Sequence, residues 1–423
     1  MMNSVHLKND KSGTMEVYID ITNTYKIRLN TGIQRVTKEL VLRLYDYNET
    51  QNATEFIPIV FLDHFRLWKR VTRKEWVRLY QGRPDPKRFR LSNPFPSSLL
   101  KSFMGTVPEG SIFLDMDSSW HNRLKRGPLF KELHKKHINI VRIHYDLVPI
   151  LFPHFCHRDT FGKYLKHLAA SLTYASLFIC ISKRAEEDLL ALTQELSLAK
   201  DFETTVLRLG ADFGVRGEKT VQTSGIKHQG YCFDPLKEKG NYLLCVGTLE
   251  PRKNHALLIN VFEQIQHRFP WVKLVLIGKE GWDVGALIQR ITGHPLYNKS
   301  LFWLKNVNDE DLDTFYENCV LSILPSFYEG YGLAVIESLM RGKIVLCSTE
   351  GSLPEAGERY ADYFDPDRPR ALEKLIVGYL TSPEKRRKRE KTVGKFDAYT
   401  WNESARDLVD ILDSLVSNKS PVK

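Results

Sequence analysis

Two glutamates, Glu329 and Glu337, flank a glycine-rich bend in the stretch LPSFYEGYGLAVIESLMRGK, and the second lies inside the apolar run that follows. A carboxylate in an apolar run is costly unless something pairs with it. The preceding LSILP reads as a buried strand, and open α/β sheets bind ligands beyond the carboxyl ends of their strands. Gly330 and Gly332 let the backbone come close to a ligand. A helix starting near Leu333 offers free N–H groups and a positive dipole end to a phosphate. Glu329 can accept hydrogen bonds from sugar hydroxyls, and Glu337, one turn into the helix, can take the vicinal hydroxyls of a ribose. The two would then hold both ends of a nucleotide-sugar. The same residues also read as a surface glutamate beside a turn and a helix glutamate paired with Lys or Arg.

A second stretch, CVGTLEPRKNH, repeats the pattern of a strand end followed by a helix start. Arg252 and Lys253 lie just past Gly247. A guanidinium fork and an ammonium point charge together suit a diphosphate. Two cations at a helix start oppose its dipole, so the pair is hard to explain as a purely structural choice.

These stretches need elements to position them. The chain alternates short apolar strands with amphipathic helices, the pattern of parallel α/β sheets. Strands are read at MEVYIDIT, FIPIVFL, SIFLDMD, INIVRIHYD, SLFICIS and TTVLRLG. Residues 213–238 are polar and rich in Gly and Lys, and read as a linker with a loop. The alternation restarts at YLLCVGTL and continues through VKLVLIGK, LFWLKNV, LSILPSF and GKIVLCS. At 423 residues the chain exceeds what one core accommodates, so two domains are expected. We place them at 1–215 and 239–401, joined by a linker at 216–238, with a final helix over 402–423 capped by Thr400 or Asn402.

Composition narrows the function classes. Hydrophobic content of 42% and charged content of 26% are ordinary for a soluble enzyme. A net charge of +10 favours anionic partners. The six cysteines stand singly, mostly in apolar runs, without the spacing of a metal site, and are read as reduced thiols. The polar N-terminus carries no secretory pattern, and no run is long enough for a membrane helix, so a cytoplasmic protein is expected.

The order GTLEPRKN, then LKNVNDEDL, then EGYGLAVIE resembles retaining glycosyltransferases of family 4, most clearly over 241–357. TGIQRV, HYDLVPI, ICISKRAEEDL and RLGAD extend the resemblance into the first half. It implies the GT-B fold: two facing Rossmann-like α/β domains, a deep cleft between them, and a C-terminal helix, here YTWNESARDL, that crosses back onto the first domain. By resemblance, Arg252 and Lys253 hold the donor diphosphate, Glu337 the ribose and Glu329 the transferred sugar. The backbone of Gly330, Tyr331, Gly332 and Leu333 lies near sugar and phosphate, and that of Lys305 to Val307 borders the base. Gly32 approaches the pyrophosphate from the first domain, where His144 and Asp146 face the acceptor hydroxyl or the sugar. Thr248 stands where many relatives carry the first basic residue of the phosphate clamp, so Arg252 would supply that charge. The implied reaction moves a hexose with retention to a lipid-linked surface glycan, without a metal or other cofactor. Mannose from GDP-mannose is the first candidate, with UDP-linked glucose or N-acetylhexosamine next.

Three other readings remain open. LDMD places Asp115 and Asp117 in a D-x-D pair that could bind a divalent ion, although away from the phosphate residues. A nucleotide-sugar epimerase would share the fold but need acid/base groups across the cleft and no acceptor. The basic aromatic stretch over 65–90 interleaves aromatics with ten basic residues. On a helix, Trp68 and Trp76 would fall on one side and dock on an anionic membrane surface. No nucleic-acid motif accompanies the charge, which argues against nucleic acid as partner. The run EKRRKREK at 384–391 reads as a solvated helix.

Overall fold

A computed structural model describes residues 14–27, 32–50, 53–80, 107–198, 202–212 and 232–417. The first sheet runs in the order β3-β2-β1-β4-β5-β6-β7. Its strands are β1 Met15–Asp20, β2 Thr54–Leu62, β3 Leu67–Arg70, β4 Ile112–Asp115, β5 Asn139–His144, β6 Leu177–Cys180 and β7 Glu203–Val206. All pairs are parallel except β2 with β3. The second sheet has the order β10-β9-β8-β11-β12-β13 and is parallel throughout. It consists of β8 Tyr242–Val246, β9 Lys273–Ile277, β10 Leu301–Leu304, β11 Leu321–Leu324, β12 Val345–Ser348 and β13 Asp362–Phe364. Strands such as YLLCV and LFWL are apolar along their whole length because helices cover both faces of a parallel sheet.

Strand order reverses between β1 and β4 in the first sheet and between β8 and β11 in the second. Those two points are where an open α/β sheet forms a crevice beyond its strand ends. The expectation of two Rossmann-like units is met. The linker expected over 216–238 lies largely outside the described residues.

The last helix, Trp401–Ser417, returns to the first sheet. Thr400 Oγ accepts from the Glu403 N–H at 3.2 Å and Glu403 accepts from the Thr400 N–H at 2.8 Å, a reciprocal cap. The Trp401 N–H donates to Asp212 at 2.7 Å, and Thr54 donates to Asp413 at 2.8 Å. Trp401, Leu408 and Leu412 are fully buried with Leu40, Leu44 and Val36 of the helix Gly32–Thr50.

The basic aromatic stretch is not one helix. Residues 67–70 form the antiparallel edge strand β3, and a separate helix spans Arg73–Tyr80. Trp68 and Trp76 are both buried, Trp68 against Phe61 and Phe113. Several of the cations are already paired: Lys69 with Glu75 at 2.5 Å, Arg73 with Asp46 at 2.5 Å. The expectation that Trp68 and Trp76 share one exposed side of a helix is therefore corrected. Residues 81–90 lie outside the described residues. The basic run 384–391 does form a helix, Pro383–Val393. Cys180, Cys245, Cys319 and Cys347 are buried free thiols.

Candidate active site

The loops after β8 and β11 meet beyond the strand ends at the switch point of the second sheet. The Phe327 N–H donates to the Arg252 carbonyl at 2.8 Å and ties them together. Arg252 donates to Glu329 at 2.7 Å, to Glu250 at 2.6 Å and to the Tyr328 carbonyl at 2.5 Å. Lys253 Nζ lies 2.5 Å from the other Glu329 oxygen, which also accepts from Ser326 at 2.6 Å. Glu329 is buried, which by itself raises its carboxyl, yet Arg252 and Lys253 pull it down to about 2. The carboxylate is therefore ionised over the physiological range.

Past the bend, Gly332 adopts a left-handed conformation, φ 93°, at the start of the helix Leu333–Met340. A Cβ there would crowd Leu353 at 3.0 Å, so glycine satisfies both the torsion and the space. No side chain caps this helix, and with the Val335 N–H donating to the Gly332 carbonyl at 2.9 Å, those of Leu333 and Ala334 are left to a ligand or water. Glu337 is buried one turn on. Its oxygens accept from Arg35 and, at 3.2 Å, from Tyr316.

The first domain faces this surface through the loop after β5. Gly330 sits against it, so closely that a Cβ would lie 2.8 Å from the Tyr145 carbonyl and 2.9 Å from Asp146 Oδ2. Burial raises the Asp146 carboxyl, and nearby Arg252 opposes that rise. Further contacts join the domains. Ser182 donates to the Gly330 carbonyl at 2.8 Å, and the Lys183 N–H donates to Glu355 at 3.0 Å. The Tyr331 hydroxyl donates to the Leu209 carbonyl at 2.7 Å and accepts from its N–H at 2.8 Å. The side chain of Tyr331 is thus an interdomain strut, and only its backbone faces the bend.

The expected residues divide accordingly. Arg252, Lys253, Glu329, Gly330 and Asp146 come together. Glu337 and Val307 lie further along the same edge, linked because Asp309 and Tyr316 belong to the helix that follows Val307. Gly32 is exposed at the start of the helix Gly32–Thr50, and among the described residues nothing lies within 4 Å of where its Cβ would be. His144 does not reach the cleft. Its ring is fully buried against Phe178, among Arg142 and His167, and burial holds it neutral, so the expected contact with substrate is withdrawn. Asp115 is committed to Arg126, Ser119 and His167, and Asp117 to Thr24 and Ser118. Among the described residues no group of three His, Cys, Asp or Glu side chains is placed to hold a metal ion. Sequence reasoning missed Arg35, Glu250 and Ser326. Glu250 and Ser326 were in view beside the motifs, whereas the partner of Arg35 lies 302 positions away.

Two facing Rossmann-like domains, with cations and carboxylates converging at one switch point, define a GT-B protein. Solved structures agree: the Anabaena Alr3699/HepE protein in complex with UDP matches with a TM-score of 0.64 and 15% identity, over 95% of this chain and all of that one. Sucrose-phosphate synthase from Thermosynechococcus elongatus matches with a TM-score of 0.62 and 16% identity, over 96% of this chain and all of that one. At such identities these likenesses show the fold. The family described as Glycosyl transferases group 1 matches residues 233–395. The O-antigen chain mannosyltransferase B of Escherichia coli is 30% identical over 362 residues, 83% of this chain and 87% of that protein. The chain belongs to the group 1 glycosyltransferases. It is also 27% identical over 275 residues, 63% of its length, to the serotype-specific mannosyltransferase WbdA of Escherichia coli, and this match spans only 32% of that relative.

Proposed function

We propose that the protein transfers a hexose, mannose first, from a nucleoside-diphosphate sugar to a hydroxyl of a lipid-linked surface glycan, with retention and without a metal. The observation that carries the donor assignment is the convergence of Arg252, Lys253 and Glu329 beside an uncapped helix N-terminus, with Asp146 across the cleft. The mannosyltransferase relatives support the choice of sugar, and the UDP complex of a structural neighbour supports a nucleotide donor.

The chemistry follows from charge. Cleavage of the anomeric bond leaves an oxocarbenium-like sugar and a diphosphate. Arg252, Lys253 and the helix N-terminus stabilise the diphosphate, each such contact being worth about 3 kcal/mol. Glu329, kept ionised, takes hydroxyls of the sugar. In this reading Asp146, across the cleft from Glu329, contacts the acceptor hydroxyl or the sugar. On the same reading the acceptor attacks from the leaving-group face and the departing phosphate takes its proton.

A nucleotide-sugar epimerase on the same fold would need no acceptor. Membrane attachment, if the acceptor is lipid-borne, fits a face other than the one first expected. Leu151, Phe161 and Leu165 are exposed near Arg158, Lys163 and Lys166. The same helix, Arg158–Tyr174, carries Tyr164, whose hydroxyl donates to the Asp146 carbonyl at 2.5 Å. A thermal-shift screen with GDP-, UDP-, ADP- and dTDP-sugars tests the donor, since a bound ligand raises the melting temperature by mass action. Incubation of the stabilising donor with and without a glycan acceptor then separates transfer from epimerisation. No shift with any of them would overturn the proposal.

A further inference from the structure

Arg35 belongs to the first domain, yet its guanidinium bonds two carboxylates of the second. One nitrogen bonds Glu337 and the other donates to Asp309 at 2.8 Å. Arg35 is largely buried and Glu337 more so, whereas Asp309 is exposed. An ionised carboxylate has about four acceptor positions, two on each oxygen. Glu337 uses one on Oε1 for Arg35 and one on Oε2 for Tyr316. Among the described residues one position remains on each oxygen, which is what two vicinal hydroxyls require.

Ribose hydroxyls are neutral and cannot replace the cation that a buried carboxylate needs. Displacing Arg35 would strand the Glu337 charge, so the ion pair and the ribose are compatible and the pair is retained on binding. We propose that Arg35 is a positioning residue for donor recognition. It orients the ribose-binding carboxylate from the facing domain, so that the nucleotide site is complete only when the domains are closed. The inference rests on the reading that Glu337 takes the ribose. It explains why a fork is used here: a lysine cannot bond Glu337 and Asp309 with two fixed nitrogens.

Calorimetric titration tests it with GDP and its 2′,3′-dideoxy analogue, and in parallel with UDP and its dideoxy analogue. For the nucleotide that binds, Arg35→Ala should weaken the ribose form about ten- to a hundredfold. It should leave the dideoxy form within about twofold of wild type, because the affected contact is absent from that ligand. Arg35→Lys should recover only part of the loss. Equal weakening of both forms would place Arg35 on the phosphates and overturn the inference. So would tighter binding in Arg35→Ala, which would make Arg35 a competitor of the ribose. Glu337→Ala separates the two layers. If it leaves the ribose preference intact, the ribose assignment itself has failed. If it abolishes the preference while Arg35→Ala does not, only the role of Arg35 is wrong. Should Arg35→Ala fail to fold, Asp309→Asn, which loosens the same fork from an exposed position, should give a smaller loss confined to the ribose form. Equal affinity of Asp309→Asn for the ribose form would then overturn it.

Discussion

Replacement of Lys253 by methionine keeps the length of the side chain and removes its charge. In the free protein Lys253 Nζ lies 2.5 Å from Glu329, but the carboxylate also holds Arg252 at 2.7 Å and Ser326 at 2.6 Å. The buried charge is therefore not stranded, and the variant should lose far less than the ~3–5 kcal/mol that a broken buried pair costs. In the reaction the situation differs, because the diphosphate gathers charge as the sugar leaves and one of its two side-chain cations is gone. Loss of such a donor costs about 2.7–4 kcal/mol, a fall in kcat of about 10²- to 10³-fold. The assay is release of nucleoside diphosphate at saturating donor and acceptor, beside a melting curve. Lys253→Arg, which restores a cation, should recover part of the rate. Lys253→Met with a kcat within about threefold of wild type and an unchanged melting temperature would refute the placement of the diphosphate.

Glu329→Gln should remove a pH-dependent contribution to stability. Arg252 and Lys253, against the effect of burial, hold the carboxyl at about 2 rather than the ordinary 4.5. A depressed carboxyl stabilises above its unfolded value and loses that contribution as pH falls toward its folded value. The gap in unfolding free energy between wild type and Glu329→Gln should therefore shrink by ~3 kcal/mol as pH drops from about 5 toward 2, as read by denaturant unfolding. Transfer should survive EDTA at full rate. Loss of activity restored by manganese would instead make Asp115 and Asp117 ligands. Phe161→Asp with Leu165→Asp should release the protein from anionic vesicles in a sedimentation assay, whereas Lys69→Glu with Arg73→Glu should not. The reverse pattern would return attachment to the stretch after β2.

The donor half of the fold was legible because each signal there is local. A fully apolar strand, a glycine bend and an apolar helix follow one another within residues 321–340, and the strand end fixes where the ligand edge lies. The same holds for Arg252 and Lys253 after β8. Residues 65–78 were misread because alternating aromatic and basic residues fit a helix or an edge strand equally well. What decides is burial of Trp68 beneath Phe61 and Phe113, which sequence spacing does not contain. His144 was misassigned for a related reason. The last residue of a strand points either into the cleft or into the sheet face, and Phe178 on the neighbouring strand marks the second. Arg35 was out of reach, because its partners belong to the other domain and no local pattern announces them.

The most direct test of the donor site is a calorimetric titration of GDP and UDP, without metal, into wild type, Lys253→Met and Glu337→Ala. One nucleotide should bind wild type one to one, and each variant should weaken it at least about tenfold while remaining folded, the scale of one lost charged hydrogen bond. Binding of equal strength in all three proteins would place the nucleotide elsewhere, and no binding of either to wild type would contradict the choice of these donors.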